Sequence, residues 1–479
     1  MFPSTIPCFR LQRLLLTGAQ NILLEDLGER FPALRELCLS QSYGLTELPE
    51  SLSSISTLEA LTISNSDMSS LPENLDDLSR LKSLRVLKCW RLPKLPDSIG
   101  LLTGLQKLSI DCTSIDILPA AISCLTALES LSITESRLTS IPEEIGELTN
   151  LRTLVLSGSR SLQKLPWSLS RLSSLRELSL NHCRNLTGLP ECITQLSRLE
   201  TLKAHNCVKL TSAPRTMGNL SCLRELDLTG CVQLKETIES LPRFLGTLSL
   251  GNDTSSIILP DMSTAPNLRK LWLDRVAITD APASTRCLSQ IEHLEMRLGF
   301  ERTEFPFLPG FLSCLRILHI SCAISLQHLP LDIGSMSRLQ QLHVGGARSL
   351  RVIPESVGQL VQLTSLHIEA ANLTHLPESI SALSRLGDLS LQNCSSLTSL
   401  PRSITRLTNL HRLVARKASL RVLPPNFYHL RRLRELNLRD CERLQSLPTQ
   451  ELRYLTMLRL LDVRGCKLLG PNPVPWFEY

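Results

Sequence analysis

One short repeat, running along almost the whole chain, limits what this sequence can fold into. Leu34, Leu37 and Leu39 form L-x-x-L-x-L, and the triplet returns at Leu58/Leu61/Ile63, Leu105/Leu108/Ile110, Leu175/Leu178/Leu180 and Leu433/Leu436/Leu438. Twenty starts fall between Leu11 and Leu458, a mean spacing of about 23.5 residues. The central leucines alternate with polar neighbours, which is the period of a strand with one buried side. Apolar residues then step by three and close in a short helical or 3-10 turn. A Leu-Pro step stands between the two. Of the 18 repeats starting from Leu34 to Leu433, 17 carry the proline, from Pro49 to Pro448; the repeat starting at Leu223 lacks it. Proline has no N–H and a fixed φ, so it ends strand pairing and turns the chain.

No single repeat can bury its own leucines, but stacked repeats can. The expected fold is therefore an α/β leucine-rich-repeat solenoid, a horseshoe with a parallel sheet on the concave side and short helical or 3-10 turns on the convex side. Aromatics make up only 4% of the chain, so its core must be aliphatic. The expected organisation is an extension or partial cap at 1–10, the repeat domain at 11–470 and a tail at 471–479. Either Phe2 and Phe9 fold over the open first repeat, or the chain is part of a longer product. Trp476 and Phe477 could close the last rung. The stretch 234–267 breaks the pattern, either as a local loop distortion or as a joint between two arcs.

The repeat also sorts the 16 cysteines. Seven lie eight residues after a start: Cys89, Cys183, Cys207, Cys231, Cys394, Cys441 and Cys466. Other repeats place Ser42, Ser66, Thr113, Ser136, Ser159, Ala323, Ala347 or Ala371 there. These residues share small size, so the position is expected to be a tight inward corner filled by unpaired thiols. No C-x-x-C pair occurs to suggest zinc or redox chemistry. Neither a secretory signal nor an apolar stretch of membrane-spanning length is legible, and the expected location is the cytoplasm.

The corner, the Leu-Pro step and the Ile-x-x-Leu ending, as in CRNLTGLPECITQLSRL at 183–199, resemble the intracellular leucine-rich repeats of plant disease-resistance receptors. The same Pro-containing ending is similar to that of Ras-related leucine-rich-repeat scaffolds. The resemblance implies protein recognition in intracellular defence or signalling. A Ras-type adaptor and a substrate-binding arm of a ligase-like effector remain alternatives. The nucleotide-switch motif G-x-x-x-x-G-K-[ST] of the receptors is missing, as are H-E-x-x-H and G-x-S-x-G. No enzyme activity, cofactor or metal is expected.

Residues two, four and six positions after each start should point out of the sheet. Between 268 and 369 these residues are unusual: Lys270, Trp272, Asp274, His293, Glu295, Arg297, His319, Gln341, His343, His367 and Glu369. Trp and Arg are common binding hot spots, which makes this stretch the candidate face for a protein ligand. An indole lying flat on its neighbours is the alternative for Trp272. His319, His343 and His367 should form a column about 5 Å apart. It reads as a solvated polar column, a pH-sensitive contact patch or, least in keeping with zinc geometry, a metal site.

The net charge of +6 is concentrated at 402–443, which holds 11 Lys/Arg and 3 Asp/Glu. Arg416, Arg439 and Arg464 form an expected secondary column, with Arg412 and Lys417 beside it and Asp440 and Asp462 partly neutralising it. An acidic protein could bind there. Nucleic acid is not expected, because the column has no interleaved aromatics. No membrane partner is expected, and the oligomeric state is open.

Overall fold

The computed structural model describes residues 10–19, 27–49, 52, 54–234, 238–251, 259–275, 283–300 and 302–469. The proposed caps at 1–9 and 471–479, Pro282 and most of the irregular loop around Asn252-Asp253 lie outside them. By its contacts the chain divides into two compact units, Met1–Ala265 and Pro266–Tyr479.

Among the described residues the first unit holds eleven parallel strands, from Arg13–Thr17 to Thr247–Gly251, and the second holds nine, from Lys270–Asp274 to Leu460–Asp462. Every strand begins two residues after a repeat start. Register within each unit keeps equivalent residues opposite one another, as in Leu178↔Leu202 and Leu342↔Leu366. The inward leucines are sealed: Leu202 and Leu366 have no measurable exposure. A slip of one residue would turn every such leucine to solvent, so the alternating pattern holds the register.

Strands end in a way that the leucine pattern does not reveal. Seven residues after most starts the backbone turns left-handed, as at Asn65 (φ 51), Glu135 (φ 46), Asn206 (φ 58), Asn393 (φ 59) and Asp440 (φ 59). This turn points the following residue inward. Cys89, Cys183, Cys207, Cys231, Cys394, Cys441 and Cys466 are all buried there. Ser42, Ser66, Thr113, Ser136 and Ser159 are buried in the same place. In the repeat starting at Leu363 the buried corner is Ala370, and Ala371 is only half-buried.

The Leu-Pro step is the entry to the next element. Pro142, Pro190, Pro354 and Pro377 are extended residues that each precede a five-residue 3-10 turn. Glutamates after these prolines do more than solvate the turn. Glu143 accepts from Ser168 N at 3.0 Å, Glu191 from Arg215 N at 2.9 Å and Glu355 from Ser379 N at 3.2 Å. Each carboxylate thus caps the turn of the following rung, where backbone N–H groups lack intrahelical partners. Hydrogen bonding from the Ser168 backbone holds the Glu143 carboxyl below its ordinary range against a smaller opposing effect of burial.

Candidate functional site

The fifteen described cysteines are free of disulfides. Those at the corner are held as thiol donors. Cys183 Sγ donates to Leu156 O at 3.2 Å, Cys207 Sγ to Leu180 O at 3.1 Å and Cys231 Sγ to Ala204 O at 3.1 Å. Burial raises all three pKa values, Cys207 to about 12. These thiols build the fold and are poor nucleophiles. Thiol titration in denaturant without reductant is expected to approach 16 per chain, the number in the sequence, with the corner thiols slow to react in the native protein. Extensive oxidation in fresh native material would contradict a structural role for the corner thiols.

The sheet face of the second unit carries three columns of side chains. The middle column runs Trp272, Glu295, His319, His343, His367 in direct register. The imidazoles form a strip of rings tilted 58° and 70° to one another, with centroids 5.3 Å apart for His319–His343 and 5.7 Å for His343–His367. They lie side by side on adjacent strands and do not converge. Among the described residues no group of three or more His, Cys, Asp or Glu could hold a metal ion.

The strip ends in a cluster that the sequence reading missed. Asp388 Oδ2 lies 3.2 Å from His367 Nε2 and 3.4 Å from Arg412 Nη1, and Arg412 Nε donates to Glu435 Oε2 at 3.0 Å. Burial alone would push the Asp388 carboxyl up, but hydrogen bonds and charge from His367 and Arg412 outweigh it and hold the carboxyl below its usual range. Following the first outward position across the strands, Asp388↔Arg412↔Glu435, would have revealed the cluster.

Other expected contact residues divide into presented and engaged groups. Lys270, Glu295 and Gln341 are exposed, and His293 and His319 are half-buried. Asp274, expected outward, is buried and pairs with Arg297 at 3.2 Å. Its position at the strand end places it against the next rung, so Arg297 serves the fold as well as the face. Glu369 accepts from Asn393 Nδ2 at 2.6 Å.

The secondary column is also engaged. Arg416 and Arg439 each lie 3.6 Å from Asp440, and Arg464 forks onto Asp462 at 2.8 and 2.7 Å. Arg412 does not stand beside this column. It occupies the other end of its strand, between Asp388 and Glu435, while Lys417 lies exposed in the left-handed turn at φ 58.

The stacked parallel rungs and their corner-and-turn geometry agree with a match to the leucine-rich repeat region family over residues 117–321 and 354–468. The chain belongs to the leucine-rich-repeat family. No curated protein matches this leucine-rich-repeat chain in sequence. Among solved structures it is similar to a leucine-rich-repeat protein of Leptospira interrogans, at 25% identity over 88% of this chain and 95% of that one, with a TM-score of 0.58. It also matches the functional domain of InlJ from Listeria monocytogenes, which includes a cysteine ladder, at 22% identity over 70% of this chain and 67% of that one, with a TM-score of 0.52. A TDR receptor matches at 19% identity over 95% and 91% of the two chains, with a TM-score of 0.52. The last two likenesses concern the fold alone. No helix among the described residues is long and apolar enough to cross a membrane.

His343, in the middle of the imidazole strip, makes stability depend on pH. Burial, and then the charges of His319 and His367, lower the His343 pKa from its ordinary value, while Glu369 opposes the shift. The unfolded chain therefore binds a proton at a pH where the folded chain does not. Stability from this group is complete above about pH 6.5 and is lost as pH falls toward the folded pKa. His343→Gln is expected to flatten the fall in melting temperature between about pH 7.5 and pH 5.5. An unchanged slope would show that His343 titrates as it does in the unfolded chain.

Proposed function

We propose that this leucine-rich-repeat protein recognises a protein ligand through the sheet face of its second unit, centred on Trp272, Glu295 and His319, within an intracellular defence or signalling role. The observation that carries this reading is the continuous strip from Trp272 to His367. Five adjacent strands at about 4.8 Å spacing present it over about 20 Å, the width of one peptide or protein edge. The strands fix the side chains in place, so ordering them on binding costs little. Exposed Glu295 within the strip and exposed Lys270 and Gln341 beside it supply hydrogen-bonding groups of both signs. The corner thiols support a reducing compartment, which is where the resemblance to disease-resistance receptors places such repeats.

The test is affinity for a partner recovered by proximity labelling. Glu295→Arg and His319→Ala are expected to weaken it at least tenfold. Lys107→Ala, on the exposed face of the first unit, should leave it unchanged. The opposite ranking would move the site to the first unit.

A further inference from the structure

The excess positive charge at 402–443 is divided unevenly between the two sides of the second unit. Its three carboxylates are engaged: Glu435 with Arg412 at 3.0 Å, Asp440 with Arg416 and Arg439 at 3.6 Å, and Glu442 with Lys467 at 2.7 Å. On the turn side, Arg406, Arg431 and Arg432 are exposed, and among the described residues none has a carboxylate within ion-pair distance. They line a hollow of about 620 Å³ that also takes in His429. A second hollow, of about 650 Å³, shares Arg431 and is walled by Tyr428 and Tyr454. No carboxylate lines either one. Glu451, from the same rungs, is occupied in accepting the backbone N–H groups of Asn426 and Phe427.

We infer that this turn-side groove is a docking site for an acidic segment of a partner protein, separate from the sheet face. Guanidinium groups are planar and pair with carboxylates through two parallel hydrogen bonds. Here three of them line one hollow from two successive rungs with no carboxylate beside them, Arg432 also donating to Asn409 Oδ1. The tyrosine wall beside them accepts an apolar or aromatic residue next to the acidic ones. A bilayer would demand a broad flat cationic face, whereas these charges gather in two hollows. Single-stranded nucleic acid needs open rings along a cationic track. Tyr428 is instead half-buried against Tyr454 and His429, with centroids 6.1 and 4.4 Å away, which leaves Tyr454 as a single open ring and no stacking track.

The probe is a fluorescein-labelled peptide of about ten residues, alternating Glu and Asp around one Tyr, titrated against the full chain at about 150 mM salt. Saturable binding is expected, weakened at least tenfold by Arg406→Glu/Arg431→Glu. The charge-matched pair Arg198→Glu/Arg215→Glu, exposed in the first unit, should leave it unchanged. Thermal melting verifies folding. If charge reversal unfolds the chain, Arg431→Gln is expected to weaken binding about threefold. An oligothymidylate of similar length and phosphatidylserine vesicles are run in parallel. Tighter oligothymidylate or vesicle binding, lost in the Arg406/Arg431 variant, would overturn the assignment in favour of nucleic acid or membrane. Failure of the peptide to bind, or equal binding by both charge-reversed pairs, would overturn it outright.

Discussion

Gly358→Ala is expected to destabilise the second unit by about 1–3 kcal/mol, because it overpacks the stacking of successive turns. Gly358 lies in the 3-10 turn Glu355–Gln359. A β-carbon there would stand 2.5 Å from Ser379 O and 2.7 Å from Ser379 Cβ in the next rung. Ser379 cannot easily retreat, since its N–H and hydroxyl are both bonded to Glu355 at 3.2 and 2.7 Å. Moving it would separate two rungs, and nearest-neighbour stacking is what stabilises a solenoid. The first unit repeats the approach at Gly146, where the added carbon would be 2.7 Å from Ser168 O. The equivalent residue one rung beyond Gly358 is Ser381, whose hydroxyl donates to Glu378 O at 3.0 Å. A β-carbon is accommodated there, so Ser381→Ala should cost about 1 kcal/mol or less. Urea unfolding of the two variants measures the difference. Equal midpoints would mean that the rungs can separate without cost.

Trp272→Ala should weaken the proposed sheet-face complex by about 2 kcal/mol or more, roughly thirtyfold in affinity. The indole is half-buried at the head of the strip, in register with Glu295. Its Nε1 is buried without a hydrogen-bond partner among the described residues. Packing therefore holds the ring, and the fold gains nothing from its N–H. Truncation to alanine also removes that packing and lowers stability, so a second substitution has to separate the two effects. Trp272→Phe keeps an aromatic body and loses an unsatisfied donor together with part of the ring's packing, two effects of opposite sign, so stability should change by less than about 1 kcal/mol. Calorimetric titration of both variants, each checked by thermal melting, gives the comparison. Full affinity in Trp272→Ala would remove Trp272 from the interface.

The period of about 23.5 residues was enough to derive the strands, their parallel register, the turn side and the buried corner. Each of these follows from a local pattern repeated until only stacking could satisfy it: alternating leucines, a proline that cannot pair, and a small residue where space is tight. The outward columns were legible for the same reason, which is how the His319–His343–His367 strip could be derived before any coordinates.

What the sequence could not show was which outward charges satisfy one another. Repeat position says where a side chain starts and not where a long flexible one ends. Only the tertiary structure turned Asp274 inward to Arg297, set Arg412 between Asp388 and Glu435, and spent Asp440 on Arg416 and Arg439. Once those pairs are made, Arg406, Arg431 and Arg432, which share one hollow on the turn side, are among the cations left without a carboxylate partner. A count of charges by residue number had placed the positive excess on the sheet. Ion pairing acts over a few ångströms in space, and Asp274–Arg297, Asp388–Arg412, Arg412–Glu435 and Arg416–Asp440 join residues 23 or 24 apart in the chain that only the stacking of one rung on the next brings together.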